Sequence, residues 1–317
     1  MSVARAEQYR SPRQDAWSRG EAAVLGEAVH CAPSVHDSRP WSVEIHDRTA
    51  VLRERPVGPL ARHDPHGRDR RISCGAALTN LVLAMRGLAW AADLEIAVAD
   101  GLVTASVTGT RRVQPTEMEN RRRRALSDRR SHRYAFDLRP VPDDARDAVL
   151  EALAAPGVTG RWISDAAEAL SIARLLDYAA RVFRGNAEYQ RELAMWTTLY
   201  AGAAGLPRAV FGAVGLAAVG LTTSRTRLPD ESLLTARIQQ EAVLVVGTRG
   251  DEPHDHLRAG EAVERAWLEA ISRGLAASVM TQPLHLAEVR TGLAAALGLT
   301  VVPQVLMRFG YAVVPGR

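Results

Sequence analysis

Apolar residues recur along this chain with two different periods, and the two kinds of stretch are interleaved. Apolar stripes with a period of about 3.6 residues predict helices, whereas alternation or a short unbroken apolar run predicts strands. The predicted helices cover residues 15–31, 71–92, 115–126, 142–154, 165–183, 187–199, 231–240, 257–276 and 287–297. The predicted strands cover residues 41–45, 49–53, 94–99, 102–108, 158–163, 242–248, 277–280 and 303–311. This mixture favours an α+β fold, with mixed or antiparallel sheets flanked by helices, over a regular βαβ alternation.

One long stretch, residues 201–223, fits neither period. It is rich in glycine and alanine and contains Pro207, so we interpret it as a mobile flap or a tightly packed helix pair. Its uncharged part, residues 209–223, is about 15 residues long, short of the ~20 that a membrane-spanning helix needs. The polar first 17 residues do not resemble a signal peptide. Together these features predict a cytoplasmic protein without a membrane partner.

Four weak similarities recur in the same order in the two halves of the chain. They are Arg-Ser-x-Arg at 10–13 and 130–133, Ala-Pro at 32–33 and 155–156, a strand tryptophan at 41 and 162, and Arg-Gly-Leu-Ala at 86–89 and 273–276. Shared order predicts an internal duplication, in which a dimer is fused into one chain. We place the first half at residues 1–114 and the second at 115–317, with the flap inside the second half. The chain is thus expected to be a monomer that mimics a dimer.

Composition excludes several classes of enzyme. All 40 basic residues are arginine, and the chain has no lysine. Schiff-base chemistry, a pyridoxal phosphate linkage and a P-loop lysine are therefore ruled out. The net charge of +4 is weak evidence for an anionic ligand. Cys31 and Cys74 are too few for a disulfide framework and are expected to be free thiols in a reducing compartment.

A basic cluster precedes the predicted helix start at Pro142. Arg129, Arg130, Ser131 and Arg133 lie within five residues. Arginine forks match the planar geometry of phosphate oxygens, and a serine hydroxyl adds a neutral donor. The cluster therefore favours a phosphate ligand, although a solvated basic loop would have the same composition.

Other polar clusters have a simpler explanation. The His-Asp-His motif at 254–256 has a spacing that could bind metal, but a helix N-terminal cap with solvated histidines is favoured. His63 and His66 lie in a loop and are interpreted in the same way, so we assign no metal site. The four arginines at 121–124 have no interleaved aromatic residues. A solvated helix face is favoured there over a nucleic-acid partner.

Three motifs carry a family resemblance that reaches nearly the whole chain. Arg-Arg-Ser-x-Arg at 129–133 is followed by Pro-Val-Pro at 140–142, residues 32–41 read Ala-Pro-Ser-Val-His-Asp-Ser-Arg-Pro-Trp, and residues 303–310 read Pro-Gln-Val-Leu-Met-Arg-Phe-Gly. Together they resemble the FMN-dependent nitroreductase family. The Pro-Ser loop precedes the Arg-Arg-Ser motif, which reverses the family order. With the duplicated layout, this is similar to the fused, flap-bearing Acg-type subfamily.

The resemblance implies where FMN would bind. Its phosphate and ribityl chain would contact Arg129, Arg130, Ser131, Arg133 and Arg308. The isoalloxazine ring would lie under Pro33, Ser34, Val35 and Asp37, with the backbone of Pro283 and Leu284 near flavin N5. Asp37 and Arg39 replace the family's asparagine and glutamine. The turn at 156–157 lacks the serine of the Pro-Ser loop, so one FMN per chain is expected.

The implied function is an FMN oxidoreductase of nitroreductase type. Hydride would pass from NAD(P)H to flavin N5 and then to a small conjugated acceptor, nitroaromatic or quinone-like. The resemblance supplies no catalytic side chain, since the chemistry belongs to the cofactor. A flavin-sequestering protein with little or no turnover is the alternative, because the flap could exclude the donor. A basic interaction protein without cofactor is a third hypothesis.

Overall fold

The computed structural model describes residues 16–56, 58, 60–198, 206–207 and 215–313. Its α-helices, in chain order, are α1 (Arg19–His30), α2 (Arg68–Gly87), α3 (Glu117–Ala125), α4 (Asp143–Leu153), α5 (Ala166–Gly185), α6 (Ala187–Met195), α7 (Leu216–Gly220), α8 (Glu231–Gln240), α9 (Pro253–Ser272) and α10 (Ala287–Ala296). Its strands are β1 (Trp41–His46), β2 (Thr49–Glu54), β3 (Trp90–Ala99), β4 (Leu102–Arg112), β5 (Val158–Trp162), β6 (Thr197–Thr198), β7 (Leu206–Pro207), β8 (Ala242–Thr248), β9 (Ala276–Met280) and β10 (Val302–Gly310). Two 3₁₀ turns, Val35–Asp37 and Gln282–His285, complete the regular structure that the functional site uses.

Two four-stranded antiparallel sheets form the framework. Their strand orders are β1-β2-β4-β3 and β5-β8-β10-β9, and every neighbouring pair is antiparallel. The short strands β6 and β7 form a separate parallel pair. The predicted α+β class with antiparallel sheets is confirmed.

The two sheets repeat one topology. If β1, β2, β3 and β4 are matched in chain order with β5, β8, β9 and β10, the two strand orders become identical. In each half a helix precedes the first strand, and a long helix follows the second. The second half differs by two insertions, α5–α8 after β5 and the second 3₁₀ turn with α10 after β9. The predicted internal duplication therefore has a structural basis, whereas the boundary between residues 114 and 115 stays a prediction.

The long central helices α2 and α9 cross at equivalent glycines. Each helix has 20 residues, and Gly75 and Gly260 are each the eighth residue of their helix. A Cβ at Gly75 would lie 2.0 Å from the carbonyl oxygen of Leu257, and one at Gly260 would lie 1.9 Å from that of Ile72. Because no side chain fits at these distances, glycine at both positions lets the helix backbones touch and join the two halves.

The described residues form three apolar cores. The first lies between the sheet of β1–β4 and helices α1 and α2. The other two lie on opposite faces of the second sheet, one under α4 and α9 and one under α5, α8 and α10. β8 is buried along its whole length because both faces are covered. Its unbroken apolar sequence is typical of such a strand.

Helix α2 begins earlier and ends earlier than its apolar stripe predicts. The carboxylate of Asp64 accepts hydrogen bonds from the backbone N–H groups of Asp69 and Arg70, at 3.1 and 2.9 Å. This remote cap satisfies donors of the first turn and moves the start to Arg68. At the other end Ala89 adopts a left-handed φ of 62°. The chain turns there, so Trp90 begins β3 instead of extending the helix.

Most of the predicted flap lies outside the described residues, which omit 199–205 and 208–214. Within the described part, β7 (Leu206–Pro207) pairs with β6, and α7 packs on the second core. Across the described ranges, none of the helices combines the length and apolarity needed to span a lipid bilayer. The predicted solvated face of the arginine run is wrong at Arg122, which is buried against Glu269 at 2.9 Å.

Candidate functional site

Arg308 lies at the centre of the second sheet and is fully buried. Its Nε donates to the hydroxyl of Ser278 at 2.8 Å, and its NH1 donates to the carboxylate of Glu241 at 2.9 Å. Its NH2 donates to the carbonyl oxygens of His132 and Tyr134, at 2.7 and 2.8 Å. Burial lowers the pKa of Arg308, although Glu241 opposes that shift. The side chain therefore holds the backbone of the basic segment (residues 129–136) on both sides of Arg133.

Arg133 projects from the backbone that Arg308 holds. Among the described residues it makes no ion pair and no side-chain hydrogen bond, and it is only partly exposed. Burial and the nearby Arg308 charge lower the pKa of Arg133 to about 10. The group is still a cation at neutral pH. A partly buried cation without a carboxylate partner is electrostatically unsatisfied and attracts an anion.

Arg129 is buried and makes its contacts inside the protein. Its guanidinium lies 4.7 Å from the ring centre of Trp267, and its NH2 donates to the carbonyl of Cys31 at 3.1 Å. Its Nε is 3.7 Å from a carboxylate oxygen of Glu264. Burial raises the pKa of Glu264 to about 7 and lowers the pKa of Arg129. Arg129 thus ties the basic segment to α9 and to the end of α1.

The remaining members of the basic segment follow the edge of the second sheet. Arg130 is exposed and donates through NH1 to the carbonyl of Arg129 at 2.8 Å. Ser131 forms a parallel bridge with Ala277 of β9. Next to it, the backbone N–H of His132 donates to the carbonyl of Ala277 at 2.9 Å. The segment is therefore an added, irregular strand at the edge of β9.

The Pro-Ser loop (residues 32–41) faces this segment in a strained conformation. His36, Asp37 and Arg39 have φ values of 50°, 55° and 47°. Left-handed backbone costs non-glycine residues about 1–3 kcal/mol each and concentrates at functional sites. Two serine hydroxyls help to hold the loop: Ser34 Oγ accepts from Arg39 N, and Ser73 Oγ accepts from Val35 N, both at 3.0 Å.

The two departures from the family pattern lie next to each other in this loop. The carboxylate of Asp37 is 3.5 Å from Nε of Arg39, and both side chains are 39% exposed. The pair is close enough for Arg39 to offset the charge of Asp37. Pro33, Ser34 and Val35 are partly buried beside it.

A buried histidine–aspartate cluster (His63, Asp69 and His285) lies beside the loop. Asp69 Oδ2 is 3.1 Å from Nε2 of His285 and 3.6 Å from Nε2 of His63. Burial raises the pKa of Asp69, but His285 and Arg68 outweigh it and hold that pKa well below its usual range. Burial lowers the pKa of His285. Asp69 is therefore an anion surrounded by donors.

The loop connects the cluster to the basic segment. The ring of His36 is 4.1 Å from that of His63, centre to centre. Burial lowers the pKa of His36 well below its usual value, and the charges of His63 and Arg133 lower it further. His36 therefore lies between the cluster and Arg133, within electrostatic reach of both.

The 3₁₀ turn Gln282–His285 carries the two residues whose backbone is predicted to lie near flavin N5. Pro283 and Leu284 are buried, and the carbonyl of Leu284 accepts from NH1 of Arg68 at 2.8 Å. The structure thus brings the Pro-Ser loop, Arg133, Arg308 and this turn to one side of the molecule, whereas Arg129 is directed towards α9.

Helix α6 closes over the cluster. Nδ1 of His63 is 2.7 Å from the hydroxyl of Tyr189, which also accepts from Nε2 of Gln282. Glu192 accepts from the backbone N–H groups of Arg62 and His63, at 2.8 and 2.7 Å. Burial raises the pKa of Tyr189, so its hydroxyl keeps its proton.

The expectation of solvated histidines is wrong at two positions. His63 is 4% exposed and belongs to the cluster, and His256 is 4% exposed and bonds Asp251 at 2.9 Å. Asp255 does cap α9, through a reciprocal pair of hydrogen bonds with Glu252. The sequence around His63 shows only a histidine in a polar loop before a helix. It does not reveal the cluster, because His285 lies 216 residues from Asp69.

The chain is similar to known proteins over most of its length. Residues 126–311 match the model described as the Nitroreductase family. A Mycobacterium tuberculosis H37Rv protein, provisionally named NAD(P)H nitroreductase Rv3131, is 30% identical over 302 residues, covering 91% of this chain and 84% of that protein. A second protein from that strain, provisionally named NAD(P)H nitroreductase acg, is 28% identical over 288 residues, covering 89% and 86%. The structure of the FMN-dependent nitroreductase NfnB from Mycobacterium smegmatis, in complex with NADPH, covers 62% of this chain and 89% of its own, at 21% identity and a TM-score of 0.40.

Proposed function

This chain belongs to the nitroreductase family, and from that premise we propose that it is an FMN-binding oxidoreductase. It takes hydride from NAD(P)H and reduces a small conjugated acceptor, nitroaromatic or quinone-like. Bound FMN would supply the hydride-accepting centre at flavin N5. The chain's own residues bind and orient the cofactor and exclude water.

The observation that carries the proposal is the unsatisfied charge of Arg133. This partly buried cation has no carboxylate partner among the described residues, and it lies beside Arg308 and opposite the strained loop. A phosphate would satisfy it through charge-assisted hydrogen bonds, each about twice as strong as a neutral one. The residues present therefore fit a phosphorylated cofactor.

The predicted phosphate contacts then divide into two roles. Arg133, with Ser131 and the exposed Arg130, is proposed to contact the phosphate and ribityl chain directly. Arg308 is proposed to act mainly as a positioning residue, since it already donates to two carbonyls of the basic segment. Arg129 anchors the segment through Cys31 and Trp267, and a phosphate contact from it stays a prediction.

The ring contacts are proposed on the opposite side. Pro33, Ser34, Val35 and Asp37 would cover the isoalloxazine, with the backbone of Pro283 and Leu284 near N5. Asp37 could accept a hydrogen bond from flavin N3–H. Its neighbour Arg39, at 3.5 Å, would limit repulsion between that carboxylate and a reduced, anionic flavin.

Flavin sequestration with little turnover is the second candidate function. It is favoured by the closure of α6 over the histidine–aspartate cluster, where Glu192 binds two backbone N–H groups. Arg62 also pairs with Glu188 at 2.6 Å. A cover held by these bonds would restrict entry of a nicotinamide donor.

We also propose a cytoplasmic monomer with no nucleic-acid or membrane partner. Free thiols at Cys31 and Cys74 suit a reducing compartment. The α2–α9 crossing joins the two halves within one chain in place of a subunit interface.

FMN binding to the purified protein tests the proposal. Arg133→Ala is expected to weaken FMN binding about 10–100-fold, since it removes a hydrogen-bonded charge worth about 1.5–3 kcal/mol. Arg124→Ala, an exposed arginine on α3, is the matched control and should bind FMN like the parent protein. Equal FMN affinity in all three proteins would exclude the phosphate site, and a parent protein that binds no FMN would support the cofactor-free hypothesis.

NAD(P)H consumption by the FMN-loaded protein separates the two candidate functions. Multiple turnovers with a quinone or nitroaromatic acceptor support the oxidoreductase. Tight FMN binding without NAD(P)H oxidation supports sequestration.

A further inference from the structure

The histidine–aspartate cluster has the composition and geometry of a metal site. His63 Nε2, Asp69 Oδ2 and one nitrogen of His285 all lie within 4.8 Å of one another. Asp69 Oδ2 is 3.1 Å from His285 Nε2 and 3.6 Å from His63 Nε2. In a tetrahedral zinc site with ligand bonds of about 2.0–2.2 Å, ligand atoms are about 3.3–3.6 Å apart. We propose that these three side chains bind one divalent transition-metal ion, with zinc as the reference ion.

Two of the three proposed ligands are already oriented through their other polar atom. Asp69 Oδ1 accepts from Nε and NH2 of Arg68, at 3.2 and 3.1 Å, whereas Oδ2 faces the imidazoles and accepts from the hydroxyl of Thr281 at 2.5 Å. His63 Nδ1 meets the hydroxyl of Tyr189 at 2.7 Å, which leaves Nε2 facing Asp69. Hydrogen bonds of this kind fix ring orientation and carboxylate geometry in metal sites.

The donor set selects the class of ion. Two imidazole nitrogens and one carboxylate oxygen suit Zn²⁺, Fe²⁺ or Co²⁺, whereas Ca²⁺ and Mg²⁺ prefer oxygen ligands throughout. The nearby guanidinium of Arg68 opposes any cation. Its charge is shared between Asp69 and the carbonyls of Thr281 and Leu284, at 3.1 and 2.8 Å. The site is therefore selective for ions that bind neutral imidazole well.

A further buried imidazole lies against the cluster. His36 is 5% exposed, and its Nε2 has no hydrogen-bond partner within the described part of the chain. Its ring packs against that of His63. Buried polar atoms normally have hydrogen-bond partners. The unpaired Nε2 of His36, close to His63, His285 and the anionic Asp69, is explained if this region binds a ligand that the protein itself does not supply.

The ion would join the two halves of the chain. Asp69 lies in the first turn of α2 and His63 in the loop just before it, whereas His285 lies in the insertion that follows β9. A metal bond across this junction would fix the Gln282–His285 turn against α2. Its role is thus structural, and it does not depend on the flavin proposal.

The test uses the full-length protein stripped of flavin and metal, so failure of FMN binding cannot affect the result. After incubation with Zn²⁺ and gel filtration, elemental analysis should find about one zinc per chain, and zinc should raise the melting temperature. His285→Asn and His63→Asn should both lose stoichiometric zinc. His46→Asn, an exposed histidine with 72% side-chain exposure, should retain it.

A second variant tests the orienting hydrogen bond. Tyr189→Phe keeps the ring and removes the hydroxyl, so zinc affinity should fall about 10-fold. Cobalt provides a readout in the parent protein even if a histidine variant fails to fold, because bound Co²⁺ at a tetrahedral site absorbs visible light. Absence of that absorption, or equal zinc retention by the parent and His285→Asn, would show that the cluster is only a hydrogen-bonded network and overturn the proposal.

Discussion

The starts of α2 and α9 occupy equivalent places in the two halves but have opposite surroundings. At α2, Asp69 is 4% exposed and meets two histidines, Arg68 and the hydroxyl of Thr281. At α9, Asp251 is 43% exposed and is held by His256, Arg290 and Gln304. One carboxylate is enclosed and the other lies at the surface.

The insertions in the second half explain the difference. Tyr189 and Glu192, from the insertion after β5, and the turn Gln282–His285, after β9, both close over the start of α2. The first half has no corresponding insertions. Among the described residues, Asp251 meets His256, Gln304 and Arg290, the last of which lies on α10. The start of α2 is thus a buried site and the start of α9 carries a surface ion pair, whereas a single FMN per chain stays a prediction.

The largest expected effect compares the two aspartates directly. Asp69→Asn leaves Arg68 buried without its counter-ion and should lower the free energy of unfolding by about 3–5 kcal/mol. Asp251→Asn should lower it by only about 1 kcal/mol or less, because solvent screens an exposed pair. Urea denaturation at neutral pH with a chelator present measures both. Equal losses would mean that the two helix starts are energetically equivalent.

Substitutions at the two glycines of the α2–α9 crossing test whether both halves contribute equally to this contact. Gly75→Ala and Gly260→Ala each place a methyl group against backbone, and each should destabilise by about 1–3 kcal/mol or more. Gly26→Ala in α1 is the control, since nothing lies within 4 Å of its Cβ position. That substitution should stabilise by about 0.5–1 kcal/mol, because alanine has the higher helix propensity. A crossing variant as stable as the control would contradict the close contact.

Two glutamates on α9, Glu264 and Glu269, are expected to have smaller and opposite effects on how stability depends on pH. Burial raises the pKa of Glu264 to about 7, so the folded state binds more protons than the unfolded state above pH ~4.3. The protonated Glu264 side chain therefore contributes fully to the free energy of unfolding below pH ~4.3, and this contribution is lost as the pH rises through about 7. Between these limits the slope is at most about 1.4 kcal/mol per pH unit. Glu264→Gln should flatten this decline and be more stable than the parent at pH ~8.

Glu269 is the control with the opposite sign. Although burial raises its pKa, hydrogen bonds from Arg273 and Arg122 outweigh that effect and lower it. The ionised Glu269 side chain therefore contributes to the free energy of unfolding at neutral pH, and this contribution is lost as the pH falls below the usual range of glutamate pKa values. Melting temperatures measured across pH should show Glu269→Gln destabilised at neutral pH and equal to the parent in acid. The same pH profile for Glu264→Gln and Glu269→Gln would show that the pKa values of the two glutamates are not shifted in opposite directions.

The smallest effect is expected in the Pro-Ser loop. Asp37 and Arg39 are each 39% exposed, so Asp37→Asn should change the free energy of unfolding by less than ~0.5 kcal/mol. A loss above ~2 kcal/mol in urea denaturation would show that this pair, rather than the hydrogen bonds of Ser34 and Ser73, holds the loop.

Local patterns determined much of the framework. The apolar run of β8 and the stripe of α8 were predicted residue for residue, at Ala242–Thr248 and Glu231–Gln240. A strand buried on both faces leaves an unbroken apolar run, and a helix buried on one face leaves an apolar stripe, so both can be recognised within a single stretch of sequence. The basic segment and the Pro-Ser loop were also visible locally, because their composition is unusual over a few residues.

Tertiary structure alone decided which of these residues meet. The burial of His63 depends on α6 and on a turn more than 200 residues further along. Arg308 and Arg133 have the same side chain, yet one is satisfied by Glu241 and two carbonyls and the other has no such partners within the described residues. Sequence patterns record burial along one element, but the charge balance of a site depends on contacts between distant elements.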